Sequence, residues 1–155
     1  MSTVRRRRQA DARPPLPAPF APTPPVVGAP DPEAFLRSVA HALDAARAAR
    51  RPLTLVAMEV QPAAGVDAEA VLSRVADIVR RTVRGSDGLW RDGARTLGLL
   101  LADADGPRAE PALARIRLRL KGEREAAVRM GRAVAAPGVD AGTLLEIACA
   151  DRELR

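Results

Sequence analysis

The pattern of apolar positions after residue 31 alternates between a helical period and short apolar runs. Between residues 67 and 82 an apolar side chain recurs every three or four positions, as on one face of an amphipathic helix. Residues 53–60 form a short apolar run with β-branched members, which is typical of a buried strand. The pattern therefore predicts a domain that mixes helices with strands.

A first helix is predicted to begin at Asp31 and to end near residue 50. Asp is a good N-cap, Pro32 suits the first helical position, and Glu33 favours the positive end of the helix dipole. Pro52 prevents the helix from continuing. The residues expected on its buried stripe are Phe35, Val39 and Leu43 or Ala42.

Five further elements follow the helix at 67–82. Strands at 88–91 and 96–101, joined by the turn 92–95, predict a hairpin in which Trp90 packs. Segment 108–121 alternates leucine with arginine like a strand but also fits a helix, which is the interpretation adopted. A strand at 126–134 and a helix at 141–154 complete the order, the latter with Leu144, Leu145, Ile147 and Ala148 inward. This order predicts an α+β fold, a mainly antiparallel sheet flanked by helices.

The N-terminal part of the chain has a different composition. Nine of the 14 prolines lie in residues 14–32, a segment with few large apolar side chains. Residues 1–31 are therefore expected to form a disordered Arg- and Pro-rich tail before a domain at 32–155. Within residues 1–32, five arginines and two aspartates give a net charge of +3, half of the total of +6. A nucleic-acid partner is not indicated, because the rest of the positive charge is spread thinly over the domain.

Several classes of protein are disfavoured by what the sequence lacks. It has no long apolar run and no apolar stretch after Arg5–Arg8, so neither a membrane span nor a signal peptide is predicted. A cytoplasmic location is expected, also because the one cysteine, Cys149, can form no internal disulfide. The single histidine, His41, cannot build a triad or a His-based metal site. Asp103-Ala104-Asp105-Gly106 begins like a calcium loop but lacks the closing glutamate, so a polar turn is predicted.

The most informative segment is 84–101, which reads RGSDGLWRDGARTLGLLL. It holds an Arg-x-x-Asp at Arg84 and Asp87, a short apolar stretch, a turn that begins at Gly93, and an apolar strand. This layout resembles the GGDEF family, the bacterial diguanylate cyclases, where an Arg-x-x-Asp precedes a Gly-Gly-Asp/Glu-Glu-Phe turn at the same spacing. Weaker likenesses occur in the same order at 34–36, 51–55, 114–117, 128–131 and 150–154. The resemblance implies a GGDEF/nucleotide-cyclase-like fold.

The same resemblance implies that the catalytic apparatus is lost. The turn reads Gly93-Ala94-Arg95-Thr96, so both acidic positions of the family's turn are gone. At the end of the first strand the family's Asp-x-Asp is replaced by a segment that keeps one carboxylate, Glu59. Two divalent cations need more acidic ligands than this. The segment Phe-Lys-x-x-Asn-Asp of the family's next loop is also missing. No catalytic residue, metal or cofactor is therefore expected, and diguanylate cyclase activity is expected to be absent.

What remains is the Arg-x-x-Asp motif. In the family it is the inhibitory site for cyclic di-GMP, which implies ligand binding through Arg84, Asp87 and Arg115. Arginine suits this role because its guanidinium grips phosphate groups or a guanine edge in a fork geometry. The motif is equally compatible with a helix end and turn, in which Gly85 helps the chain to leave the helix. Two main hypotheses stay open: an inactive regulatory domain that binds cyclic di-GMP, and a pseudo-enzyme that acts through protein contacts without a nucleotide. Residual cyclase activity, and binding of an anionic surface through the tail, are the remaining alternatives.

Overall fold

The computed structural model describes residues 30–154, so the predicted tail up to residue 29 lies outside the described residues. The elements alternate as the sequence predicts, and the fold is α+β. In chain order they are α1 (Pro32–Ala49), β1 (Leu53–Pro62), α2 (Ala68–Thr82), β2 (Gly88–Arg91), β3 (Thr96–Ala102), α3 (Gly106–Leu120), β4 (Ala126–Val134) and α4 (Ala141–Leu154).

An aspartate side chain caps the start of each of the four described helices, including Asp140 at α4. The carboxylate of Asp31 accepts a hydrogen bond from the backbone N–H of Ala34 at 3.0 Å, as the sequence predicts for α1. Asp67 and Asp105 cap α2 and α3 in the same way. Each of these bonds satisfies a backbone donor that has no partner inside the helix. Segment 106–120 is therefore a capped helix and not a strand, which confirms the adopted interpretation.

The four strands form one antiparallel sheet in the order β2-β3-β1-β4. β1 lies between β3 and β4, and its side chains are buried on both faces. Helices α2 and α3 cover one face, and α1 and α4 cover the other. In this register Glu59 lies opposite Thr96 on one side and Arg129 on the other. The sheet thus brings the end of β1 beside the β2–β3 turn.

Two glycines let helices approach the sheet closely. A Cβ at Gly98 would lie 2.1 Å from the ring of Phe35 in α1. A Cβ at Gly131 would lie 2.0 Å from the backbone nitrogen of Arg152 in α4. Trp90 packs beside Phe35 with ring centroids 6.1 Å apart, so this part of the hairpin is covered by α1.

The predicted inward face of α4 is wrong at one position. Leu144 and Ala148 are buried, but the side chain of Ile147 is 46% exposed. Residues four apart share a helix face, whereas adjacent residues are turned by about 100°. Because Leu144 and Ala148 pack against the sheet, the side chain of Ile147 points toward solvent.

Within residues 30–154, no helix is both long enough and apolar enough to cross a membrane.

Candidate functional site

Asp87 stabilises the turn between α2 and β2. Its carboxylate oxygens accept hydrogen bonds from the backbone N–H groups of Arg84 and Ala102, each at 3.0 Å. The second bond joins the turn to the end of β3. The side chain is only 3% exposed. Asp87 therefore stabilises the turn after α2, the structural role that the sequence analysis considered for the Arg-x-x-Asp motif.

Arg84 extends from this turn into solvent. Its guanidinium lies 3.6 Å from the Asp87 carboxylate and donates a hydrogen bond to the carbonyl of Ala102. The side chain nevertheless remains 59% exposed. Arg84 is thus anchored at one end while part of its donor surface is open to a ligand.

A cavity of about 360 Å³ lies where the end of α2, the end of β3 and the start of α3 meet. Three arginines line it: Arg84, Arg108 and Arg115. Arg108 and Arg115 are seven residues apart and so share one face of α3. Among residues 30–154 neither forms a salt bridge. The other lining residues are Val83, Asp87, Leu101, Asp103, Ala104, Pro111 and Ala112.

The structure brings the three residues of the predicted ligand site, Arg84, Asp87 and Arg115, to this one cavity. It adds Arg108, which the sequence analysis missed. The seven-residue spacing of Arg108 and Arg115, which places both on one helix face, could have indicated that Arg108 belongs to the site. Asp87 contributes to the cavity wall, but its side chain is almost wholly covered.

The β2–β3 turn, the segment that resembles the GGDEF turn in sequence, is held through its backbone carbonyl groups. The carbonyl of Arg95 accepts a hydrogen bond from the N–H of Val60 at 2.8 Å. The guanidinium of Arg91 donates to the carbonyls of Gly93 and Ala94 at 3.2 and 3.1 Å. Arg91 in turn forms a salt bridge with Glu69 at 2.6 Å. These bonds join the turn to the end of β1 and, through Arg91 and Glu69, to the start of α2.

Glu59 is the one carboxylate that remains at the end of β1, and it faces cations. It lies 4.0 Å from the guanidinium of Arg129 and 3.9 Å from that of Arg152. Arg95 lies in the β2–β3 turn beside it, and its carbonyl is bonded to the N–H of the next residue of β1, Val60. A divalent cation beside Glu59 would be repelled by the guanidinium groups of Arg129 and Arg152, each of which also pairs with the carboxylate of Glu153. The cations around Glu59 therefore disfavour a metal ion at this end of β1.

Two titratable groups that interact with Arg152 have raised pKa values. Burial raises the pKa of Asp92, although the Arg152 guanidinium and a hydrogen bond with Thr96 oppose the shift. Burial likewise raises the pKa of the Cys149 thiol, which favours the protonated, unreactive form. In the part of the chain that the structure describes, no group of three or more His, Cys, Asp or Glu residues is arranged to hold a metal.

Solved structures of the same fold identify its class. No protein-family profile and no curated protein sequence matches this chain. The GGDEF domain of FimX from Pseudomonas aeruginosa aligns with a TM-score of 0.73 at 19% identity, over 86% of this chain and 92% of that one. The GGDEF domain of DgcB from Caulobacter crescentus, solved in complex with c-di-GMP, aligns with a TM-score of 0.70 at 16% identity, over 86% and 89%.

A third match extends the comparison to a protein complex. Diguanylate cyclase SiaD from Pseudomonas aeruginosa, solved with its activator SiaC, aligns with a TM-score of 0.71 at 18% identity, over 98% of this chain and 62% of that one. At these identities the likeness establishes the fold. The chain has the GGDEF-like fold of diguanylate cyclase domains, as the sequence resemblance implies.

Proposed function

We propose that this protein is a GGDEF-like regulatory domain without diguanylate cyclase activity, and that it binds cyclic di-GMP in the cavity lined by Arg84, Arg108 and Arg115. The observation that carries the proposal is the convergence of these three guanidinium groups, from two separate segments, on one cavity. Its volume falls within the range of small-molecule sites, about 300–1,000 Å³.

The cavity has the chemistry of a phosphate site. Guanidinium groups form charge-assisted, often bidentate hydrogen bonds with phosphate oxygens. Arg108 and Arg115 have no carboxylate partner within residues 30–154, so an anionic ligand need not displace an existing salt bridge to reach them. Apolar side chains such as Pro111 and Ala112 also line the cavity. A cyclic dinucleotide offers both phosphates and flat apolar base surfaces to such a wall.

The loss of cyclase activity is supported by the β2–β3 turn and its surroundings. Nucleotidyl transfer needs metals that bridge the phosphates and stabilise the charge that develops. Here the carboxylate of Glu59 is shared between Arg129 and Arg152, and Arg95 replaces an acidic residue of the turn. We expect no cyclic di-GMP to form when the purified full chain is incubated with GTP and Mg²⁺. Formation of that product would contradict the proposed inactivity.

Calorimetric titration of cyclic di-GMP into the full chain tests ligand binding. We expect saturable binding to the wild type and at least about tenfold weaker binding to Arg115→Ala, because a charge-assisted contact is removed. Arg119→Ala is the matched control: it removes an exposed arginine of the same helix that does not line the cavity. We expect it to bind within about twofold of the wild type.

Two outcomes would reject the binding proposal. Equal loss of affinity in both variants would indicate a general electrostatic effect and not a site. Absence of heat in the wild type, with unfolding curves that show an intact fold, would exclude cyclic di-GMP. The alternative, a pseudo-enzyme that works through protein contacts without a nucleotide, would then be favoured.

A further inference from the structure

The cavity contains two carboxylates, and only one is presented to a ligand. The side chain of Asp87 is 3% exposed, and both of its oxygens accept backbone hydrogen bonds. The side chain of Asp103 is 41% exposed. One of its oxygens lies 3.3 Å from the guanidinium of Arg51. The other, Oδ1, has no hydrogen-bond partner among residues 30–154.

This difference matters because the remaining charged side chains of the cavity are donors. Arginine has five N–H donors and no acceptor. The three arginines can therefore hold phosphates, or the N7 atom that guanine and adenine share, but they cannot accept from a base. Guanine carries two adjacent donors on its Watson–Crick edge, N1–H and N2–H, whereas adenine has an unprotonated N1. An accessible carboxylate is the side chain that can accept from that pair of donors.

The backbone holds Asp103 in a defined place at the cavity. The residue links β3 to α3 with φ of 55°, the left-handed region that aspartate and asparagine tolerate better than most other residues. The N–H and C=O of the neighbouring Ala102 are both engaged, by Asp87 and Arg84 respectively. The adjacent carbonyl of Ala104 accepts a hydrogen bond from the hydroxyl of Thr54 at 2.7 Å. Asp103 is thus fixed by backbone contacts on both sides.

We infer that Asp103 is the base-selecting residue of this cavity and that Asp87 only shapes its wall. The inference rests on the proposed function and adds to it the residue that selects the base. The site takes a cyclic dinucleotide whose purine presents two adjacent N–H donors, and it discriminates against an adenine ligand of the same charge and backbone.

The test compares the affinities for cyclic di-GMP and cyclic di-AMP in the wild type, Asp103→Asn and Arg51→Gln. Asparagine keeps the shape and the tolerance of positive φ but exchanges one acceptor for a donor. We expect the wild type to favour cyclic di-GMP by at least about tenfold. In Asp103→Asn this ratio should fall toward one. In Arg51→Gln, which breaks the salt bridge but keeps the carboxylate, the ratio should persist.

Each remaining outcome counts against the inference and is separable from failure of the proposed function. If both dinucleotides bind the wild type equally, or if Asp103→Asn keeps the preference, the cavity binds a ligand but Asp103 does not select it. If neither dinucleotide binds a folded wild type, the proposed function fails as well. Because Asp103→Asn conserves size, an unfolding curve like that of the wild type separates a local effect from loss of the fold.

Discussion

At the scale of single residues, Asp87 makes a contribution to folding that needs no ligand. It is one of two buried polar residues in the described part of the chain, and each of its oxygens accepts from a different backbone N–H. Truncation would leave the N–H groups of Arg84 and Ala102 without acceptors. A buried donor that loses its partner costs about 1–3 kcal/mol. The Arg-x-x-Asp motif is therefore a structural motif whether or not a ligand binds.

We predict that Asp87→Ala lowers the free energy of unfolding by about 3 kcal/mol, since two backbone donors lose their acceptor. Urea unfolding followed by circular dichroism measures the change. Asp77→Ala serves as the control because Asp77 is exposed and has no salt bridge within residues 30–154. Its effect should stay within about 0.5 kcal/mol. A loss below about 1 kcal/mol in Asp87→Ala would show that water or a rearranged turn replaces the carboxylate.

At the scale of elements, the contact between α4 and β4 depends on the absence of a side chain at one position. A Cβ at Gly131 would lie 2.0 Å from the nitrogen of Arg152 and 2.2 Å from the carbonyl oxygen of Ala148. Both atoms belong to the helix backbone, so a change of rotamer cannot relieve the overlap. The helix would have to move away from the sheet, and the contact of Leu144 and Ala148 with the core would loosen with it.

We predict that Gly131→Ala destabilises the domain by about 3 kcal/mol or more, as overpacking does where backbone must shift. The matched control is Gly142→Ala in α4, the helix that packs on Gly131; there the nearest side-chain atom would be 3.7 Å from the new Cβ. Alanine favours helix over glycine, so this variant should be neutral or more stable by up to about 1 kcal/mol. Thermal unfolding of the two variants in parallel measures both effects. If Gly131→Ala were as stable as Gly142→Ala, α4 would be able to move away from β4 without loss of unfolding free energy.

Most of the elements could be predicted from the sequence because their signals are local. Caps such as Asp31 and Asp67 and the apolar period of α2 act within one or two turns of the chain. The leucine–arginine alternation of 113–120 was ambiguous because it satisfies the strand period as well. In the fold, Leu113 and Ile116 are both buried against the sheet, and their spacing of three residues fits a helix and not a strand. Ile147 was wrongly predicted to face inward, because the buried face of α4 depends on how the helix packs on β4 at Gly131. The local sequence does not contain that information.

At the scale of the whole molecule, the candidate site was predictable only where residues are close in the sequence. Arg84 and Asp87 form a short motif, and Arg115 followed from the resemblance to a family. The burial of Asp87 could not be anticipated, because its second partner is the backbone of Ala102 in another strand. The approach of Arg152 to Glu59 also arises from tertiary packing, here of α4 on the sheet. Contacts between residues that are far apart in the sequence could not be predicted without the fold.

Salt bridges that join different elements make the stability of the whole molecule dependent on pH. A hydrogen bond with Arg91 lowers the pKa of Glu69 and joins α2 to β2. Arg132 in β4 lowers the pKa of Glu110 in α3 in the same way. Arg74 in α2 lowers the pKa of Glu123, which follows α3. In each case the folded state binds a proton more weakly than the unfolded chain does.

A lowered pKa in the folded state gives stability that is present above the ordinary glutamate value of 4.5 and is lost as the pH falls through the folded value. We therefore predict that the thermal unfolding midpoint falls as the pH is lowered below about 4.5. Asp92, whose pKa is raised, opposes part of the loss.

Glu110→Gln should reduce the dependence of the unfolding midpoint on pH in this acid range. Glu146→Gln is the control, because Glu146 is exposed and has no salt bridge in residues 30–154, and it should leave that slope unchanged. High salt should weaken the slope, since each pair has one exposed partner. An unchanged midpoint down to about pH 3 would show that the pairs contribute nothing to stability.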